Sequence, residues 1–70
     1  MRVEDGRGSE FRQVRELAGV TIRQLALATG RRVDHSTISR WERGERDISD
    51  ATYDRLVSVL ADIINERGAA

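Results

Sequence analysis

Seventy residues with no cysteine and a single histidine argue against a disulfide framework, a zinc knuckle or any other metal site. Twelve arginines balance twelve acids, no apolar run approaches the ~20 residues that a bilayer needs, and the opening "MRVEDGRGS" lacks the apolar stretch of a signal peptide. What remains is one small cytoplasmic domain without a cofactor, burying only about 60% of its unfolded surface and so dependent on close packing.

Proline is absent and glycine occurs six times, a composition that favours an all-α fold. Residues 1–8, "MRVEDGRG", are polar and without period and read as a disordered arm. Ser9 then caps a first helix carrying Phe11, Val14, Leu17 and Ala18 at helical spacing, stopped at Gly19. Thr21 caps a second helix that presents Ile22, Leu25 and Ala26 inward, with Ala28 partly buried, and "TG" at 29–30 ends it with Gly30 as left-handed cap. After the connector "RRVD", Asp34 caps a third helix over His35–Arg43, with Gly44 beyond its end. Ser49 caps a fourth, in which Tyr53, Leu56, Val57, Leu60, Ile63 and Ile64 form a wide stripe, the helix either running as far as Arg67 or breaking once. The expected organisation is a domain over 9–67 and a flexible tail at 68–70. The starting methionine and the "GAA" end read as a complete small protein. The second and third helices, joined by a short link containing Gly30, have the layout of a helix-turn-helix.

The stretch "DHSTISRWERGER", residues 34–46, is the most informative part of the chain. At a 100° step, His35, Ser36, Ser39, Arg40 and Arg43 fall within one arc of about 140°, and Ile38 and Trp41 fall opposite, with Glu42 at their flank. That outward arc carries no acid and no large apolar group. Arginine can bond guanine in a fork, serine can bond either base type and histidine can donate to an acceptor, so the arc suits a helix entering a major groove. A plain solvated surface would show the same polarity, although it usually mixes acids with bases. Trp41 reads as a core anchor between the third and fourth helices. Glu42 sits at the rim of the buried side, where an unpaired carboxylate is costly. Arg15, at the matching rim of the first helix, is its expected partner, the alternative being a free surface glutamate. His35 has only its sequence neighbours Asp34 and Ser36 nearby, which face no common point, so no catalytic site and no enzyme is expected.

Charge is unevenly spread. Residues 21–46 carry six arginines against Asp34, Glu42 and Glu45, about +3, while residues 47–70 carry Arg55 and Arg67 against five acids, about −3. A basic middle and an acidic end are compatible with a charged partner on one side only. Codon usage alone would explain why every basic residue is arginine, but the guanidinium fork also suits phosphate and guanine.

At "LALATG" and "STISRWERGE" the chain resembles the Cro and phage-repressor, or xenobiotic-response-element, type of helix-turn-helix proteins. Leu25, Ala26 and Gly30 match the first half of the pattern, Val33 and Asp34 its valine and cap, and Ser36 to Gly44 the remainder, so the resemblance covers residues 9 to about 61. It implies a domain of four to five short helices that binds double-stranded operator DNA, usually as a dimer. By position, His35, Ser36 and Arg40 match the family's base-reading sites, with Ser39 as an extra. Thr21 at the start of the second helix, and Arg43 with the segment through Arg46, match its phosphate contacts. The Arg15–Glu42 pair recurs in similar proteins. The chain departs from the pattern twice. Ile22 stands where many members have a contact-making glutamine, which passes that role to Arg23. The link from Gly30 to Thr37 is two residues longer than usual, and the extra residues, Arg31 and Arg32, are expected beside the groove, at least one of them on a phosphate.

The leading expectation is thus a sequence-specific transcriptional regulator, most concretely a phage Cro-like repressor, with a bacterial regulator or an antitoxin-type repressor close behind and no small-molecule effector. The alternative is a protein-interaction module using the stripe of the fourth helix. There Val59, Ile63 and Ile64 either form a homodimer, in solution or only on DNA, or simply close the core.

Overall fold

The computed structural model describes residues 4–68, with side chains over 7–67, as four α-helices: α1 (Glu4–Leu17), α2 (Ile22–Ala28), α3 (His35–Glu42) and α4 (Asp50–Gly68). The first three stop in the same way. Gly19, Gly30 and Gly44 take left-handed φ values of 70°, 72° and 76°. Each donates its N–H to a carbonyl three residues back (Glu16, Leu27, Trp41), and the next residue donates to one five back (Arg15, Ala26, Arg40), at 2.8–3.1 Å. These paired bonds satisfy the carbonyls that a helix end leaves open, and glycine takes the conformation without a Cβ clash. Helix starts are equally local. Thr21 and Gln24 form a reciprocal capping box, with Thr21 Oγ1 accepting from the Gln24 N–H at 3.0 Å and Gln24 Oε1 accepting from the Thr21 N–H at 2.8 Å. Ser49 Oγ accepts from the Thr52 N–H at 3.1 Å. Asp34 occupies the N-cap of α3 but makes no side-chain cap bond, its carboxylate instead accepting from the Ser36 hydroxyl at 3.1 Å.

The start of α1 differs from the sequence expectation. The helix begins at Glu4 rather than after a Ser9 cap, so within the arm expected over 1–8 the described residues 4–8 are helical, and residues 1–3 lie outside the described part. Packing overrides the poor helix propensity of Gly6 and Gly8. Gly8 is buried against the last turn of α3, where a Cβ would run into the Trp41 carbonyl and come within 3.1 Å of Glu42 Cα. The Arg7 guanidinium lies 3.8 Å from the centre of the Tyr53 ring and donates to Asp50 Oδ1 at 3.5 Å. At the other end Gly68 belongs to α4, and residues 69–70 of the expected tail lie outside the described part.

Phe11, Val20, Leu25, Val33, Ile38, Trp41, Leu56 and Leu60 form the core. Trp41 sits between Phe11 and Tyr53, with ring centroids at 5.1 Å and 5.8 Å, the second contact edge-on. On α1 the inward positions are Gly8, Phe11 and Arg15, followed by the half-buried Ala18 in the turn, and this corrects the stripe read from the sequence: Val14 is 50% exposed and Leu17 88% exposed. An arginine takes the inward place that an apolar pattern assigns to Val14. Ala28 is likewise exposed. On α4, which runs unbroken, the inward arc holds Leu56 and Leu60, with Tyr53, Val59 and Ile63 packed half-buried beside them. Val59 and Ile63, read as either dimer surface or core closure, are half-buried against the core of their own chain, and Ile64 stays 37% exposed. The helices α1 and α4 run side by side in the same sense, Arg7 meeting Asp50 at one end and the Arg67 guanidinium donating to the Ala18 carbonyl at the other.

Candidate nucleic-acid interface

α3 is held by its inner side and presents its outer one. Ile38 is fully buried, Trp41 and Glu42 are buried, and His35, Ser36, Arg40 and Arg43 are exposed, with Ser39 and Thr37 half-buried between them. The inner side packs on α1 and α2. Its last residue is fixed by a buried two-pronged ion pair, with Arg15 Nε and Nη2 each 2.9 Å from an oxygen of Glu42, while Arg15 Nη1 donates to the Val20 carbonyl at 2.8 Å. One guanidinium thereby ties α1, the α1–α2 turn and the end of α3 together. The hydrogen bonds to Glu42 raise the Arg15 pKa against the opposing effect of burial.

The lengthened turn between α2 and α3 is closed by Thr29, a residue for which the sequence offered only a stop signal. Its buried hydroxyl donates to the Ala26 carbonyl at 2.7 Å and accepts from the Val33 N–H at 3.3 Å. Val33 plugs the core, so the chain between them bulges outward and exposes Arg31 and Arg32. Arg31 has φ +66°, the one left-handed non-glycine among the described residues. The two arginines go different ways. Arg31 lines a cleft of about 490 Å³ with Arg23, Ala26, Leu27, Val33, Asp34 and His35. Arg32 lines another, of about 380 Å³, that includes Thr37, Arg46, Asp47, Ser49 and Thr52. Thr21 and Arg23 share a third cleft with His35, which places the start of α2 beside the start of α3. The Thr21 hydroxyl already accepts the capping bond and keeps its own hydrogen to donate. Ile22, in the position of the family's glutamine, packs against the core.

Partnering separates the arginines into two groups. Among the described residues, Arg7, Arg12, Arg15 and Arg43 pair with carboxylates, Arg46 donates to Thr37 Oγ1 at 3.4 Å and Arg67 donates to a carbonyl. Among the same residues no such partner holds Arg23, Arg31, Arg32 or Arg40, and the four border the outer side of α3; Arg55 on α4 is likewise unpartnered there. The Arg43–Glu45 pair, at 3.1 Å, is exposed and easily exchanged for another anion. No group of carboxylates and histidine able to hold a metal occurs among the described residues.

A two-helix element packed on a four-helix core, with polar hydrogen-bonding groups along the second helix and unpaired cations around it, defines a helix-turn-helix DNA-binding domain. The Cro/C1-type helix-turn-helix family model matches residues 11–61, and the chain belongs to that family of DNA-binding transcriptional regulators. No curated protein and no solved structure matched the chain. No helix among the described residues is long and apolar enough to cross a membrane.

Proposed function

We propose that the protein is a Cro-like repressor that reads operator DNA through the outer side of α3. The observation that carries this reading is the set of four arginines without a partner among the described residues, Arg23, Arg31, Arg32 and Arg40, around a helix side free of acids. Arginine left unpaired at neutral net charge is available to anions, and guanine is its best base partner. In this reading Arg40 forks to a guanine, and His35 and Ser39 bond neighbouring base edges. Ser36, whose hydrogen goes to Asp34, offers its oxygen as an acceptor to an amino group of cytosine or adenine. Thr21, Arg23, Arg31, Arg32, Arg43 and Arg46 meet phosphates and set register. The protein works by occupying its site in the cytoplasm of a bacterium or a phage-infected cell, with no effector and no catalysis.

A homodimer would set two α3 helices about 34 Å apart on half-sites roughly 10 bp apart. Support for it is apolar surface left open: Val14 and Leu17 on α1, Val57 and Ile64 on α4. The same surface favours the second reading, a protein-interaction module or antitoxin-type repressor. Selection on random duplex DNA, followed by titration of the enriched site beside Arg40→Ala, separates them. A symmetric motif relaxed at one base position, at a cost of about 1–3 kcal/mol, is the expected result. No enrichment, or equal binding by the variant, would reject base reading through α3.

A further inference from the structure

We propose that Arg31 and Arg23 clamp a single DNA phosphodiester in the cleft between α2 and the α2–α3 turn, and that the turn gives up stability to place Arg31 there. The inference rests on the DNA-binding reading above and names one contact within it. Its starting point is the backbone at Arg31. The N–H of Arg31 completes the end of α2 by donating to the Ala26 carbonyl at 3.1 Å, yet its φ is +66°, directly after Gly30 at +72°. Two successive left-handed residues turn the chain sharply away from α2. Glycine holds the first without strain, whereas an L-residue with a long side chain at the second is disfavoured. Nothing within the protein compensates: Arg31 is exposed and has neither a salt bridge nor a side-chain hydrogen bond among the described residues. A strained residue whose guanidinium has no polar partner among the described residues points to a ligand outside the chain.

The cleft supplies the chemistry of that ligand. Its charged lining is Arg23, Arg31 and Asp34, with the imidazole of His35, and its remaining walls are Ala26, Leu27 and Val33. The Asp34 carboxylate is engaged by the Ser36 hydroxyl, toward the first turn of α3. Two guanidinium groups from different elements therefore face the space against a single carboxylate, Asp34, which pairs with neither of them, beside the end of α3 that enters the groove in the DNA reading. A monoanion with several acceptor oxygens fits two such donors, and a backbone phosphate is the one a neighbouring duplex provides. Arg32, directed to the other side of the turn, takes no part in this clamp.

The test is a cycle between the protein and single phosphates. Wild type, Arg31→Gly and Arg31→Asn are titrated against the selected duplex and against copies carrying one neutral methylphosphonate at successive positions, with thermal melts of each protein. Both substitutions tolerate a left-handed backbone and remove the charge. The expected result is a Tm for Arg31→Gly raised by about 2–5 °C, the strain released less the entropy that glycine adds to the unfolded chain. Binding should weaken about eightfold at about 0.1 M salt and the salt slope should fall by about 0.9, one phosphate's share. One methylphosphonate position should weaken wild type most and weaken both variants clearly less, through the Arg23 contact that remains. If wild type binds with sequence preference but no position couples to Arg31, the clamp is overturned while the DNA reading stands. A lowered Tm for both variants would also overturn it, because Arg31 would then be serving the fold. Wild type that binds no duplex overturns both.

Discussion

At the scale of single residues, one buried ion pair carries most of the organisation around α3. Arg15 and Glu42 are both buried, and each oxygen of the Glu42 carboxylate accepts a hydrogen bond from the guanidinium. Removing one charge strands the other in a medium that cannot solvate it. Glu42→Gln is therefore expected to cost about 3–5 kcal/mol in a denaturant titration, a large part of the stability of a domain this size. A loss within the range of ordinary surface substitutions would show that water reaches Arg15. The pH dependence has a definite sign. Arg15 has a raised pKa in the folded state, so its contribution is complete below the unfolded value for arginine and is lost only as pH climbs through the folded one. Protonation of Arg15 thus adds no slope to stability across the neutral range. The pair was legible in the sequence because Glu42 stood at the edge of an apolar arc and Arg15 at the edge of another. The hydroxyl of Thr29 was not legible: a threonine before a glycine reads as a helix stop, and its two bonds to Ala26 and Val33 exist only once the turn has closed.

At the scale of helices, local chemistry and packing gave different degrees of guidance. The ends of α1, α2 and α3 were readable because each glycine stop is enforced within a few residues. The phase and start of α1 were not, because contacts more than thirty residues away decide them. Arg7 is claimed by Asp50 and Tyr53, and Gly8 by Trp41. Propensity and packing make opposite predictions for Gly8→Ala. In an isolated helix alanine would gain about 1 kcal/mol. Here the added methyl meets the backbone carbonyl of Trp41, which cannot swing aside, so a net loss of about 1–3 kcal/mol is expected. Chemical denaturation of the variant decides the sign. Stabilisation would mean that α1 is free to shift away from α3. The apolar pattern Phe11, Val14, Leu17 also misled because it assumed that the inward position of the middle turn must be greasy; the satisfied guanidinium of Arg15 fills it instead.

At the scale of the whole molecule, the two ends of the charge distribution fall on different elements. The unpaired arginines gather around α2, the turn and α3, while Asp50, Asp54, Asp62 and Glu66 are exposed on α4. A duplex approached from the arginine side is attracted there and repelled by α4, which orients the encounter. The side-by-side run of α1 and α4 leaves an open groove of about 210 Å³ lined by Glu10, Phe11, Val14, Tyr53, Val57 and Leu60. In the dimer reading this groove and the flanking Leu17 and Ile64 form the contact. Val57→Glu is then expected to shift the protein to monomer in sedimentation and to weaken binding to a two-half-site duplex far more than to a single half-site. Equal loss on both duplexes, or no loss, would remove α1–α4 from the assembly. The sequence had shown a surplus of apolar groups on the fourth helix, but not which of them the core would claim, since that depends on how α4 rolls against α2.

The same Arg15–Glu42 contact also separates two responses to ions. Mobile ions screen charges that stand in solvent and act weakly on charges sealed from it. The scaffold keeps the one buried ion pair among the described residues inside, whereas the arginines proposed to meet DNA are outside. Rising ionic strength consequently loosens the grip on DNA at a point where the fold is still intact, and lowering it restores the grip without any refolding step. In the DNA reading, concentrated salt is expected to release the protein as a finished part, and a salt titration that follows both DNA release and helix content would show the first transition without the second.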